Sequence, residues 1–150
     1  MSGIFGMNIK MAIYGESHGK SIGVVLDGLP PGLALDEATI AAEMARRAPG
    51  QNALSTARKE SDMVEIQSGF FNGFTTGTPL CARIVNSDQH SKDYSILADK
   101  MRPGHADYAG HVRYQGFNDY RGGGHFSGRL TAPLVFAGAV AKQALAQYGI

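Results

Sequence analysis

The chain has 150 residues, 43% of them apolar, which is enough for one cooperative core of ordinary size and excludes a disordered polypeptide. Lys and Arg total 14 against 13 for Asp and Glu, a formal charge of +1, so no basic tract marks a nucleic-acid or membrane surface and any bound anion must be met by local charge. The single cysteine, Cys81, excludes an internal disulfide and a CxxC metal knuckle and points to an intracellular, cytoplasmic setting.

The opening Met1 to Gly6 lacks the cationic and then apolar order of a secretory signal, and no stretch approaches the roughly 20 apolar residues of a membrane span. Asn8 to Tyr14 and Ile22 to Leu26 are predicted strands, joined by the charged turn Gly15-Glu16-Ser17-His18-Gly19-Lys20. After the Gly28 to Gly32 loop, Asp36 is placed to cap a helix over residues 37–47. Its apolar stripe is Ile40, Ala41 and Met44, and Arg46 and Arg47 sit in its last turn, where cations favour the helix dipole.

Met63 to Ser68 and Thr78 to Val85 alternate as antiparallel partners, with Cys81 as a small hydrophobe of the second strand. From Asn86 to Gly124 periodicity fades while His, Arg, Asp and Tyr accumulate, so a long irregular functional segment is expected. The chain closes on a helical segment running from Thr131, small and apolar almost all round through Leu134 to Gln147, with Pro133 tolerated in its first turn and Gly149 as its stop. Such a helix suits a packed interior, with Gly138 admitting another backbone. Its position at the very end of the chain suggests that more protein follows.

Three segments carry the chemistry. Arg102-Pro103-Gly104-His105-Ala106-Asp107 joins a fixed cation to a titratable imidazole through a rigid turn, an anion site with an acid attached, in which Asp107 could orient the ring. A surface turn with an idle histidine is the alternative. Glu16-Ser17-His18 presents a second imidazole on a glycine-bounded turn; it has no zinc spacing, although the five histidines at 18, 90, 105, 111 and 125 could meet in space. Tyr120 to Arg129, with three consecutive glycines, could wrap a phosphate or a planar cofactor edge, or serve as a flexible link before the last helix; it fits neither a Rossmann turn nor a P-loop. Arg47, before the Pro49-Gly50 turn, and Arg102 and Arg129, in two of these segments, each fall at a loop motif, which suggests one shared pocket.

Taken together, GESHG at 15–19, DGLPPG at 27–32, RRAPG at 46–50, SGFFNGFTTGTP at 68–79, NSDQHSKDY at 86–94, RPGHADY at 102–108 and DYRGGGHFSGR at 119–129 closely resemble the amino-terminal part of the chorismate synthase family. The resemblance spans virtually the whole chain and implies a fragment of a protein more than twice as long. It implies an α+β fold, a β-α-β sandwich of antiparallel sheets enclosing a layer of helices, assembled as a homotetramer. The implied activity is anti-1,4 elimination of phosphate from 5-enolpyruvylshikimate-3-phosphate to give chorismate, dependent on reduced FMN, with NADPH as the reductant of the flavin where one is needed. A non-catalytic fragment or a binding domain for an anionic metabolite is the alternative.

By the same resemblance, His18 and His105 are the catalytic histidines, the first beside the reduced flavin and the second at the departing phosphate. Arg47, Arg58, Arg102 and Arg129 fall on substrate-binding positions. Arg47, His125, Phe126 and Ser127 fall on cofactor-binding positions, Arg47 through a nicotinamide phosphate in some members. No metal, nucleic-acid or membrane partner is implied. Two departures stand out: many members have Arg-Ser-Ser where this chain has His125-Phe126-Ser127, and an arginine where it has Ala53, a gap that Arg58 or Lys59 could fill.

Overall fold

A computed structural model describes residues 3–48, 62–87, 94 and 99–150, so Ala53, Arg58, Lys59 and His90 lie outside the described residues. Strands β1 (Ile4–Phe5), β2 (Lys10–Gly15), β3 (Ser21–Asp27), β4 (Val64–Ser68) and β7 (Leu80–Val85) form a sheet in the order β1-β2-β3-β7-β4, every neighbouring pair antiparallel. Strands β5 (Phe70–Phe71) and β6 (Phe74–Thr75) form a second, two-stranded antiparallel sheet. The helices are α1 (Glu37–Arg47), α2 (Asp107–Arg113) and α3 (Thr131–Ala146).

Alternation decides which face of the large sheet is dry. Ile22, Val24 and Leu26 of β3 lie opposite Ile84, Ala82 and Leu80 of β7. Met11 and Ile13 of β2, and Val64 and Ile66 of β4, extend the same rows. Onto this face packs α3 through Ala132, Phe136, Ala139 and Val140, joined by Ile40 and Met44 of α1. The result is an α+β sandwich, with a helical layer against antiparallel sheet.

On the opposite face Tyr14 lies flat across Gly23, where an added Cβ would come within 2.3 Å of its hydroxyl, and its O–H donates to the Ala82 carbonyl at 3.3 Å. Burial, together with the neighbouring Cys81, raises the phenol above its ordinary range.

The predicted hairpin between Met63 and Val85 forms, and its connection holds the small β5–β6 sheet. Thr75 ties that sheet to the preceding loop: its N–H donates to the Leu33 carbonyl at 2.9 Å and its hydroxyl to the Pro30 carbonyl at 2.6 Å. Asp36 caps α1 as expected, accepting from the N–H groups of Ala38 and Thr39. Gly149, with φ of +74°, ends α3 in a glycine cap closed by Ile150 N–H to the Leu145 carbonyl and Gly149 N–H to the Ala146 carbonyl.

Four expectations need correction. Ala41 is exposed, because the contact face of α1 narrows to Ile40 and Met44. Cys81 is only half-buried, since its strand turns it to the Tyr14 face. The stretch from Asn86 to Gly124 is not irregular throughout, since it contains α2, seven residues long and too short to show periodicity. Helix α3 is buried on one face only, with Leu134 39% and Leu145 45% exposed, and among the described residues nothing outside its own helix would lie within 4 Å of a Cβ at Gly138.

Phe136 is wholly buried where α3 meets the sheet. Phe136→Ala is expected to lower stability by about 3–5 kcal/mol, read from urea unfolding. A loss below about 1 kcal/mol would mean that this ring is not the centre of the core.

Candidate active site

The turn between β2 and β3 carries Ser17 and His18, only 2% and 6% exposed. Gly15 makes the turn possible: its φ is +95°, and a Cβ there would lie 2.3 Å from the Ser21 carbonyl oxygen. The glycine loop of residues 121–126 closes over the turn. Ser17 N–H donates to the Gly124 carbonyl at 3.1 Å, and the His125 Nδ1 lies 2.8 Å from the Gly15 carbonyl oxygen. Gly122, at φ +58°, faces the His18 ring so closely that a Cβ would lie 2.3 Å from Cε1. Tyr94 meets the same imidazole edge-on, with ring centroids 4.7 Å apart.

Arg102 joins this group, its guanidinium lying beside Gly123. Its direction is fixed by Asp107, which accepts from Nε at 2.8 Å, from Nη2 at 3.0 Å and from the Arg102 backbone N–H at 3.1 Å. Asp107 therefore orients the arginine rather than the His105 ring, because a guanidinium fork matches both carboxylate oxygens. Those hydrogen bonds hold the Asp107 carboxyl below the usual range. His105 sits exposed at the tip of the turn, its Nδ1 3.4 Å from the Pro103 carbonyl oxygen. Asp119 and Arg121 form a second fork, at 2.8 and 2.6 Å, which depresses the Asp119 carboxyl, with a smaller contribution from the charge of His18.

Arg47 and Arg129 meet at a residue that the motifs did not single out. Asp62, its side chain fully buried and its backbone at φ +50°, accepts from Arg47 Nη1 with one oxygen and from Arg129 Nη1 with the other. Arg129 Nε also donates to Asn86 Oδ1 at 3.1 Å. Asn86 in turn donates through Nδ2 to the carbonyls of Glu16 and Gly19, at 3.0 and 2.8 Å, on either side of Ser17 and His18. A continuous chain of hydrogen bonds thus runs from Arg47 through Asp62, Arg129 and Asn86 to the histidine turn. Asp62 offered one sequence signal, an acid immediately before an alternating strand. Asn86 offered only its place in a motif at the end of another.

The triplet after the glycines has separate duties. Ser127 caps the turn Gly128–Leu130 by accepting from Arg129 N–H at 3.3 Å. Phe126 packs against Gly110 of α2, whose missing side chain makes room for the ring, and lies 6.1 Å from Tyr114. With His125, Tyr114, Phe117, Glu16 and Asp119, Phe126 lines a cleft of about 470 Å³. A second groove of about 290 Å³ between α1 and β4 has Asp62 on its wall. Asp62, which pairs both arginines, thus faces the second groove, and Glu16 of the histidine turn faces the first cleft. Among the described residues, no three or more His, Cys, Asp or Glu side chains are grouped to hold a metal, and no helix is long and apolar enough to cross a membrane.

Fold and constellation together define an α+β protein in which arginines and an imidazole are gathered by glycine turns, a class suited to multiply charged anions. A family profile described as chorismate synthase matches residues 9–150, and the chain belongs to the chorismate synthase family. It is 51% identical over 150 residues to the chorismate synthase of Cytophaga hutchinsonii, covering 100% of this chain and 41% of that relative. It is 57% identical over 135 residues to that of Bordetella petrii, covering 90% of this chain and 38% of the relative. A solved structure titled "Crystal Structure of Chorismate Synthase" superposes with a TM-score of 0.68 at 32% identity, over 95% of this chain and 36% of that one. The chain therefore spans about two fifths of the length of the curated relatives it matches.

Two outcomes test this geometry. Gly122→Ala combines a strained φ with a clash against the imidazole, and is expected to cost about 1–3 kcal/mol in urea unfolding and to shift the His18 ring resonances. Unmoved resonances at parental stability would refute the close contact. Because Asp107 and Asp119 have depressed folded-state values, their contribution to stability is complete above the unfolded carboxyl value of about 3.9 and is lost as pH falls from there through the folded values. Asp107→Asn and Asp119→Asn should each flatten the acid limb of Tm against pH.

Proposed function

We propose that this chain is the amino-terminal part of a longer, cytoplasmic enzyme that eliminates phosphate from 5-enolpyruvylshikimate-3-phosphate to form chorismate. The carbon–oxygen bond to phosphate breaks, a ring hydrogen leaves as a proton, and a new double bond forms, with no net change in oxidation state. The observation that carries this reading is the buried run from Arg47 and Arg129 to the turn holding His18, which puts fixed cations and a titratable ring into one framework. The substrate, with a phosphate and two carboxylates, needs several guanidiniums held apart.

Each residue then has a task. Arg47 and Arg129, set by Asp62, grip anionic groups of the substrate, and Arg102, set by Asp107, does the same from the neighbouring turn; Arg58 completes the set. His105, on its exposed turn, gives a proton to the departing phosphate. His18, enclosed by Gly122 and Tyr94, holds its proton beside the reacting centre.

The cleft beside Phe126 and His125 suits the ring system of a flavin, being large enough and walled by Tyr114, Phe117 and Phe126. Among the described residues none of its walls is an arginine, and the flavin phosphate is met through Ser127 and the rest of the longer protein. Held against these rings, reduced FMN would supply electron density for the departure of phosphate, with NADPH as its reductant where one is needed. In this reading the protein works as a homotetramer.

The test is anaerobic phosphate release from 5-enolpyruvylshikimate-3-phosphate by the full-length protein, with and without reduced FMN. His18→Ala and His105→Ala are each expected to lower kcat by about 10²- to 10⁴-fold. Binding of the substrate without phosphate release, with or without the flavin, would overturn the reading in favour of a binding protein.

A further inference from the structure

Asn86 stands at the junction of the two halves of the site. It follows the last residue of β7, where Val85 pairs with Ser21, so it comes level with the end of the histidine turn, and its own N–H donates to the Lys20 carbonyl at 3.2 Å. Its side chain is buried and oriented from both ends. Nδ2 reaches the carbonyls of Glu16 and Gly19, which bracket Ser17 and His18, while Oδ1 accepts from Arg129 Nε. Among short side chains only an amide can present two donors to the turn and an acceptor to the guanidinium at once.

We propose that Asn86 is a positioning residue that sets the His18 imidazole in register with the Arg129 guanidinium. The turn and the glycine loop meet at Ser17 with Gly124 and at His18 with Gly122, and to these contacts Asn86 adds a link to Arg129. A single planar group of fixed length thus spans the gap, braced by Asp62 on the far side of Arg129. The inference rests on the reading of His18 and Arg129 as parts of one site.

Asn86→Asp separates positioning from simple charge pairing. A carboxylate keeps and strengthens the acceptor for Arg129, but sets oxygen against the two carbonyl oxygens of the turn. In the full-length protein with labelled histidines, Asn86→Asp should move the His18 ring resonances and leave those of His105 in place. It should also lower kcat for 5-enolpyruvylshikimate-3-phosphate about a hundredfold, with KM changing far less because Arg129 is still held. Asn86→Ala, which frees both neighbours, should also raise KM; if it fails to fold, Asn86→Asp carries the test alone.

If Asn86→Asp keeps parental His18 resonances, the proposal is overturned, and so it is if an active parent loses no kcat. If the parent itself releases no phosphate, the proposed function fails, while the resonance measurement still decides whether Asn86 holds His18.

Discussion

One carboxylate holds two guanidiniums out of water. Arg47 ends α1, Arg129 precedes α3, and Asp62 between them pairs with each in a partly or wholly buried place. Removing one partner from such an arrangement typically costs about 3–5 kcal/mol, because the remaining charges are stranded. The backbone of Asp62 is left-handed, which Asp tolerates better than most residues, and this lets one short side chain serve both arginines. Asp62 thus ties the end of one helix to the start of another, which keeps both guanidiniums in fixed directions.

The same device recurs at the surface. Arg102 with Asp107, and Arg121 with Asp119, are forks closed within a few residues of sequence, each fixing the plane of a guanidinium next to the glycine loop. Glycine lets this happen at close quarters. Gly122 admits the His18 ring, Gly110 admits Phe126, and Gly15 lets the turn double back, so three backbone positions without side chains bring an imidazole, an aromatic wall and a sheet edge together.

Elements with many repeated local signals were legible in the sequence. Short apolar runs joined by a glycine turn exposed β2 and β3, alternation exposed β4 and β7, and the Asp36 cap with the Ile40 and Met44 spacing exposed α1. Gly149 marked the end of α3. Helix α2 escaped because two turns with a buried glycine carry no stripe. At the site, motif context pointed to Arg47, Arg102, Arg129, His18 and the residues after the glycines. It could not supply their partners, because a hydrogen bond such as Asp62 to Arg129 spans 67 positions and leaves no periodic trace. Asp107 misled for a related reason: spacing puts it near both His105 and Arg102, and only geometry decides that the fork wins.

The outward row of α3 has a practical meaning for anyone handling the polypeptide. Leu134, Gly138, Ala141, Leu145 and Tyr148 recur at helical spacing on the side turned to water, forming a greasy strip with no charged side chain in it. Such a strip makes a 150-residue preparation prone to self-association as it is concentrated, however sound its core. Colloidal behaviour is therefore governed by a different surface from the one that governs folding or chemistry.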